Sequence, residues 1–112
     1  MHQVKLEWKK DLVFEAIQPD GTKVMLDSSP EFGGKGKGSW PKPLMLTSLA
    51  GCTAMDVAAL MQKMRLDVNE FRVEVSAGLT KEHPKYYNKV KVEYHFYGEN
   101  LNREKLQKCV QL

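Results

Sequence analysis

Two thiols, three imidazoles and one carboxylate inside an apolar run are the groups in this chain whose types and spacing bear on chemistry. Cys52 stands in Leu49-Ala50-Gly51-Cys52-Thr53-Ala54-Met55-Asp56, and Cys109 in Lys108-Cys109-Val110. A cysteine is either a small buried hydrophobe or, as thiolate, a nucleophile and redox centre, and its surroundings decide which. Near a helix start the macrodipole favours thiolate, whereas purely apolar surroundings leave the thiol inert. The residues around Cys52 offer both influences, so both readings stay open on local sequence. Cys109 is compatible with an ordinary helix face as well as with a redox role. Asp56, one turn after Cys52, would oppose a thiolate by its charge and suits an interface or capping contact better. His2 lies near a terminus, His83 precedes Pro84 in a connection, and His95 falls on the polar side of a strand pattern, so no two share a ligand spacing and no metal is expected.

These groups must be positioned by strands and helices that the hydrophobic period makes visible. Val4, Leu6 and Trp8 alternate with Gln3, Lys5 and Glu7, as in a strand with one buried face, and Leu12, Phe14 and Ala16 repeat the pattern. Pro19-Asp20-Gly21 supplies a turn, after which Val24 and Leu26 resume a strand, so the N-terminal third reads as a hairpin or short meander. From Ser28 to Pro43 serine, proline, glycine and lysine interrupt regular structure, predicting a long mobile loop. Pro43 suits the first turn of a helix whose apolar positions, Leu46, Leu49, Ala50, Thr53, Val57, Leu60, Met61 and Met64, recur every three or four residues. With Asp56 its only ionised side chain between Met45 and Ala59, that helix is predicted to be buried in a core or subunit interface, with Cys52 in its first turns. Two further strands follow, one through Phe71, Val73, Val75 and Ala77 and one through Val90, Val92, Tyr94 and Phe96. Asn102 offers an N-cap to a last helix marked by Leu101, Leu106 and Val110, which the chain end cuts short.

At 112 residues and 12.8 kDa the chain is the size of a single domain over 1–112, and a partner subunit covering more apolar surface would help so small a core. The net charge of +3 comes from basic residues interspersed with acids, which does not fit tracking of a nucleic-acid backbone. The glycines between Gly33 and Gly38 lack the spacing of a phosphate-binding loop. The longest uncharged stretch, Pro43 to Met55, falls short of the roughly 20 apolar residues that cross a bilayer, and the N-terminus lacks the apolar core of a signal peptide. A cytoplasmic location without a membrane partner is the expectation, and there two cysteines would not form a permanent staple.

The segment Leu46-Thr47-Ser48-Leu49-Ala50-Gly51-Cys52-Thr53-Ala54-Met55-Asp56-Val57, with the apolar helix ending Gln62-Lys63-Met64-Arg65, closely resembles the OsmC/Ohr family of thiol-dependent peroxidases. Asp67 to Val75, His83-Pro84, the strand Lys89 to Tyr97, Gly98 and Leu101 to Val110 follow in the family's order. The resemblance implies an α+β fold in which two chains intertwine, sharing antiparallel sheets around central cysteine-bearing helices. It implies that Cys52 attacks the O–O bond of an organic hydroperoxide, and that a second thiol then forms a disulfide reopened by an external dithiol reductant. Cys109 is the candidate for that second thiol, although it sits earlier on the final helix than the family's pattern. The family's glutamate before the cysteine has no counterpart in Trp40-Pro41-Lys42-Pro43-Leu44, and no arginine precedes Arg65, which leaves Lys23, Lys42 or a loop lysine to supply positive charge. Trp40 and Phe32 offer an apolar approach for substrate. No cofactor is called for. The alternative is a non-catalytic dimer on the same fold that binds a small hydrophobic ligand in an interface pocket.

Overall fold

The computed structural model describes residues 1–80 and 87–111, so His83 and Pro84 lie outside the described residues. The chain forms two compact units, Met1–Met45 and Leu46–Leu112. It is an α+β structure, as the family resemblance implies, and its named strands all pair antiparallel.

In the first unit β1 (Lys5–Lys10), β2 (Val13–Ile17) and β3 (Lys23–Leu26) form the expected meander, in the order β1-β2-β3. Asp11 and Leu12 make the first turn, with Lys10 opposite Val13. Asp11 takes the left-handed conformation at φ 54°, which aspartate tolerates better than most residues, and its carbonyl accepts the Trp8 indole N–H at 2.8 Å. The second turn is held by Asp20, whose carboxylate accepts the Thr22 hydroxyl at 2.7 Å and amide at 3.1 Å. Val13 and Ala16 are the buried apolar residues here. The predicted buried face of β1 is not covered: Val4, Leu6 and Trp8 are 56%, 55% and 65% exposed. Alternation announces a face that needs covering, and among the described residues this one stays exposed.

The segment after β3 is more ordered than its composition predicted. Asp27, 2% exposed, accepts hydrogen bonds from the backbone N–H groups of Ser28 at 2.7 Å, Lys35 at 2.9 Å and Lys37 at 3.1 Å. One buried carboxylate thus gathers a loop whose backbone would otherwise need water. The chain then doubles back beside β3, where Ser39 N–H donates to Met25 carbonyl at 2.9 Å and Asp27 N–H to Ser39 carbonyl at 3.0 Å. Gly38 passes so close that a Cβ there would lie 2.5 Å from the Met25 carbonyl oxygen.

The long helix α1 (Pro41–Lys63) starts two residues before Pro43, with Pro41 at its first position, where the missing N–H costs nothing. It ends where Arg65 adopts φ 55°, with Arg65 N–H on Gln62 carbonyl and Leu66 N–H on Met61 carbonyl. The face singled out by the spacing is the more covered one, with Val57 buried, Leu46, Ala50, Thr53, Leu60, Met61 and Met64 half-buried and Leu49 exposed, but the rest of the circumference is largely uncovered within the single chain. Over eighteen residues its mean hydropathy is 1.6, so by length and composition alone it is sufficient to cross a membrane, as the core helix of a soluble protein also can be. The uncharged run from Pro43 to Met55 understates this helix, which accommodates Asp56 and still presents an apolar stretch of spanning length.

In the rest of the second unit β4 (Glu70–Leu79) pairs with β5 (Tyr87–Tyr97), placing Phe71 opposite Phe96 with their rings stacked at 4.8 Å. The helix α2 (Arg103–Gln111) is capped as expected: the Asn102 side-chain oxygen accepts Lys105 N–H at 3.1 Å. Leu106 and Cys109 are its buried residues.

Candidate functional site

Cys52 lies three turns into α1, so the helix start at Pro41 moves it beyond the first turn, where the macrodipole acts most strongly. The helix opens with Pro41, Lys42 and Pro43 and continues through residues that favour or tolerate helix, with Thr53 returning its hydroxyl to the carbonyls of Leu49 and Ala50. Two faces result. Val57 is buried and Ala50, Thr53, Ala54 and Met61 are half-buried, while Met45, Leu49, Cys52, Met55 and Asp56 stand exposed at spacings of three and four. The thiol is therefore accessible and set in an apolar stripe, one turn from Leu49 on one side and Met55 and Asp56 on the other.

Cys109 is the opposite case. It is 2% exposed, and its S–H donates to the Met64 thioether at 3.7 Å. Met64 is about 18 Å beyond Cys52 along the helix at 1.5 Å per residue, whereas a disulfide needs Cα atoms within about 7 Å. The structure thus does not bring the two thiols of one chain together. Phe32, in a short 3-10 turn over Pro30–Phe32, and Trp40 are 60% and 48% exposed and belong to the first unit, whereas Cys52 belongs to the second.

A family model for OsmC-like proteins matches residues 34–112. The chain belongs to the OsmC-like family. Protein YhfA of Escherichia coli K12 is 25% identical over 111 residues, covering 98% of this chain and 79% of the relative. A hypothetical protein from Aquifex aeolicus has the same fold, with a TM-score of 0.82 at 22% identity over 99% of this chain and 76% of that one. The organic hydroperoxide resistance protein OsmC of Legionella pneumophila superposes with a TM-score of 0.64 at 19% identity, covering 99% of this chain and 80% of that one.

The OsmC-like scaffold of this chain carries a second constellation that the sequence did not reveal. Glu74 of β4 stands opposite Glu93 of β5, and Arg72 opposite His95, so these polar side chains share one face of the strand pair. His95 Nε2 lies 3.3 Å from Glu74 Oε2 and 3.3 Å from Glu93 Oε2. The Lys91 ammonium, 2.8 Å from Glu93 Oε1, holds the Glu93 carboxyl below its usual range, and Glu93 raises Lys91 in return. The expectation of no metal-ligand set rested on spacing along the chain, but these ligand atoms, all within 4.8 Å of one another, come from two strands. Reading Glu93 and His95 as i, i+2 on the polar face and pairing that strand with Glu74 was the signal available.

Proposed function

We propose that this OsmC-like protein reduces organic hydroperoxides, with Cys52 as the attacking thiol. The observation that carries the reading is the exposure of Cys52 in the middle of an apolar helix face. The Cys52 thiolate attacks one peroxide oxygen: an S–O bond forms, the O–O bond breaks, and the alkoxide leaves as alcohol after taking a proton. Cys52 is left as a sulfenic acid. An external dithiol then attacks its sulfur, releasing water and forming a mixed disulfide, and the second thiol of the same reductant displaces Cys52 as thiolate. This route uses no second thiol of the chain, in keeping with the buried Cys109.

Met45, Leu49 and Met55, at 64%, 39% and 73% exposure, support a homodimer that covers the helix face and encloses the thiol in apolar surroundings where a hydrophobic peroxide would lodge. A reducing cytoplasm would supply the dithiol.

Intact mass after brief exposure to cumene hydroperoxide and a sulfenic-acid trap tests the reading, on the native chain and on Cys52→Ser. One adduct on the native chain and none on the variant is the expected result; an unmodified native chain sinks it. A second reading, binding of a hydrophobic ligand without chemistry, draws on an apolar groove lined by Tyr94, Phe96, Leu101, Leu106 and Val110. That outcome would show as ligand protection of Leu101 and Val110 amides with no adduct at Cys52.

A further inference from the structure

We propose that Glu74, Glu93 and His95 form a binding site for one divalent transition-metal ion of the zinc class, on the strand face and separate from the Cys52 chemistry. The register places all three on one face, with each carboxylate divided in its use. Glu74 Oε1 lies 3.5 Å from Arg72 Nε and Glu93 Oε1 lies 2.8 Å from Lys91 Nζ, while the Oε2 atom of each is turned to His95. Arg72 is itself held by Tyr97, donating to its hydroxyl at 3.0 Å with the guanidinium 5.7 Å from the ring centroid. Two flanking cations thus orient the carboxylates, as outer-shell partners do in metal sites.

The geometry fits a small ion. Zinc bonds of about 2.0–2.1 Å to nitrogen and oxygen in a tetrahedron set neighbouring ligand atoms about 3.3 Å apart. Both separations from His95 Nε2 are 3.3 Å, and the three ligand atoms lie within 4.8 Å of one another, so the carboxylates would close on the ion as it binds. That nitrogen is also wholly covered, although the side chain as a whole is 30% exposed, and it makes no hydrogen bond. Its polar neighbours at 3.3 Å are the two carboxylate oxygens, and a metal ion would replace these poorly aligned contacts with bonds to the nitrogen and to both oxygens.

One imidazole and two carboxylates suit zinc, manganese or ferrous iron, and the imidazole disfavours magnesium and calcium, which prefer oxygen alone. Because Glu74 is exposed, a fourth position faces water. The nearby positive charges of Arg72 and Lys91 make the site weaker than a closed structural zinc site. Bound there, the ion clips β4 to β5 across their polar face.

The test is calorimetric titration of Cys52→Ser, which lacks the exposed thiol, with Zn2+, and with Mg2+ as control. One zinc per chain with no magnesium binding is expected, weakened at least about tenfold by His95→Gln and by Glu74→Gln, a loss that even outer-shell changes produce. Zinc binding unchanged in both variants, or none at all, overturns the site. Should a variant fail to fold, the ring nitrogen resonances of His95 in Cys52→Ser decide: a shift at one equivalent of Zn2+ supports the proposal, and shifts confined to His2 or His83 overturn it.

Discussion

The Cys109 thiol donates to the Met64 thioether across 3.7 Å, pinning α2 against the C-terminal end of α1. The contact makes Cys109 a packing residue, because a side chain 2% exposed is closed to peroxide and to reductants alike. Cys109→Ser should leave the rate of sulfenic-acid formation at Cys52 unchanged while destabilising the fold by about 1–3 kcal/mol, the cost of a buried polar group without a proper partner. Urea denaturation measures the second effect. A variant of native stability with slowed turnover would instead return a redox role to Cys109.

Asp27 makes the loop before α1 sensitive to acid. The backbone N–H groups of Lys35 and Lys37, and more weakly that of Ser28, hold its carboxyl below the ordinary value of 3.8. A lowered native pKa means that the stabilisation is fully present above 3.8 and lost as pH falls through the native value. The melting temperature of the native chain should therefore drop more steeply below 3.8 than that of Asp27→Asn, which should start lower at neutral pH. Parallel pH dependences for the two would remove Asp27 from this role.

Arg65 sits at φ 55° just past the end of α1, the position where helices most often carry glycine. The left-handed conformation costs a side-chain-bearing residue about 1–2 kcal/mol, partly offset by the greater unfolded freedom of glycine. Arg65→Gly should stabilise the protein by about 0.5–1 kcal/mol, read as a higher urea midpoint with unchanged slope.

Met55 distinguishes a covered helix face from a bare one. At 73% exposure in a single chain, Met55→Glu should cost little if the chain is monomeric, within about 0.5 kcal/mol. In a dimer closed over α1 it buries a charge, so light scattering should fall from about twice 12.8 kDa to the single-chain mass. A native chain that already scatters as a monomer would contradict the dimer.

The strands, the turn at Asp20 and the cap at Asn102 were legible because each depends on neighbours within a few residues. The burial of α1 and of β1 was not. The predicted face of α1 from Leu46 to Met64 is the covered one, but the exposed apolar side chains Met45 and Met55 on its other side, like Leu6 and Trp8 on β1, show that a pattern marks a face as apolar without saying which chain covers it. The carboxylate of Asp27 was overlooked for a related reason, since its partners at Lys35 and Lys37 are backbone groups that carry no residue signature. The Glu74, Glu93 and His95 group needed the register between β4 and β5, which alternation alone leaves unset.

The return of the chain along β3, through the parallel pairing of Leu26 with Ser39, closes one side of the meander. Among the described residues, the opposite side, β1, keeps its outward backbone donors and acceptors unpaired within the chain. The β1 edge is thus the more open of the two, and it is there that Lys5, Lys9 and Lys10 stand. Lys9 there is paired with Glu7 at 3.2 Å, so charged side chains of both signs stand along an edge whose backbone is open, a common device against uncontrolled strand addition.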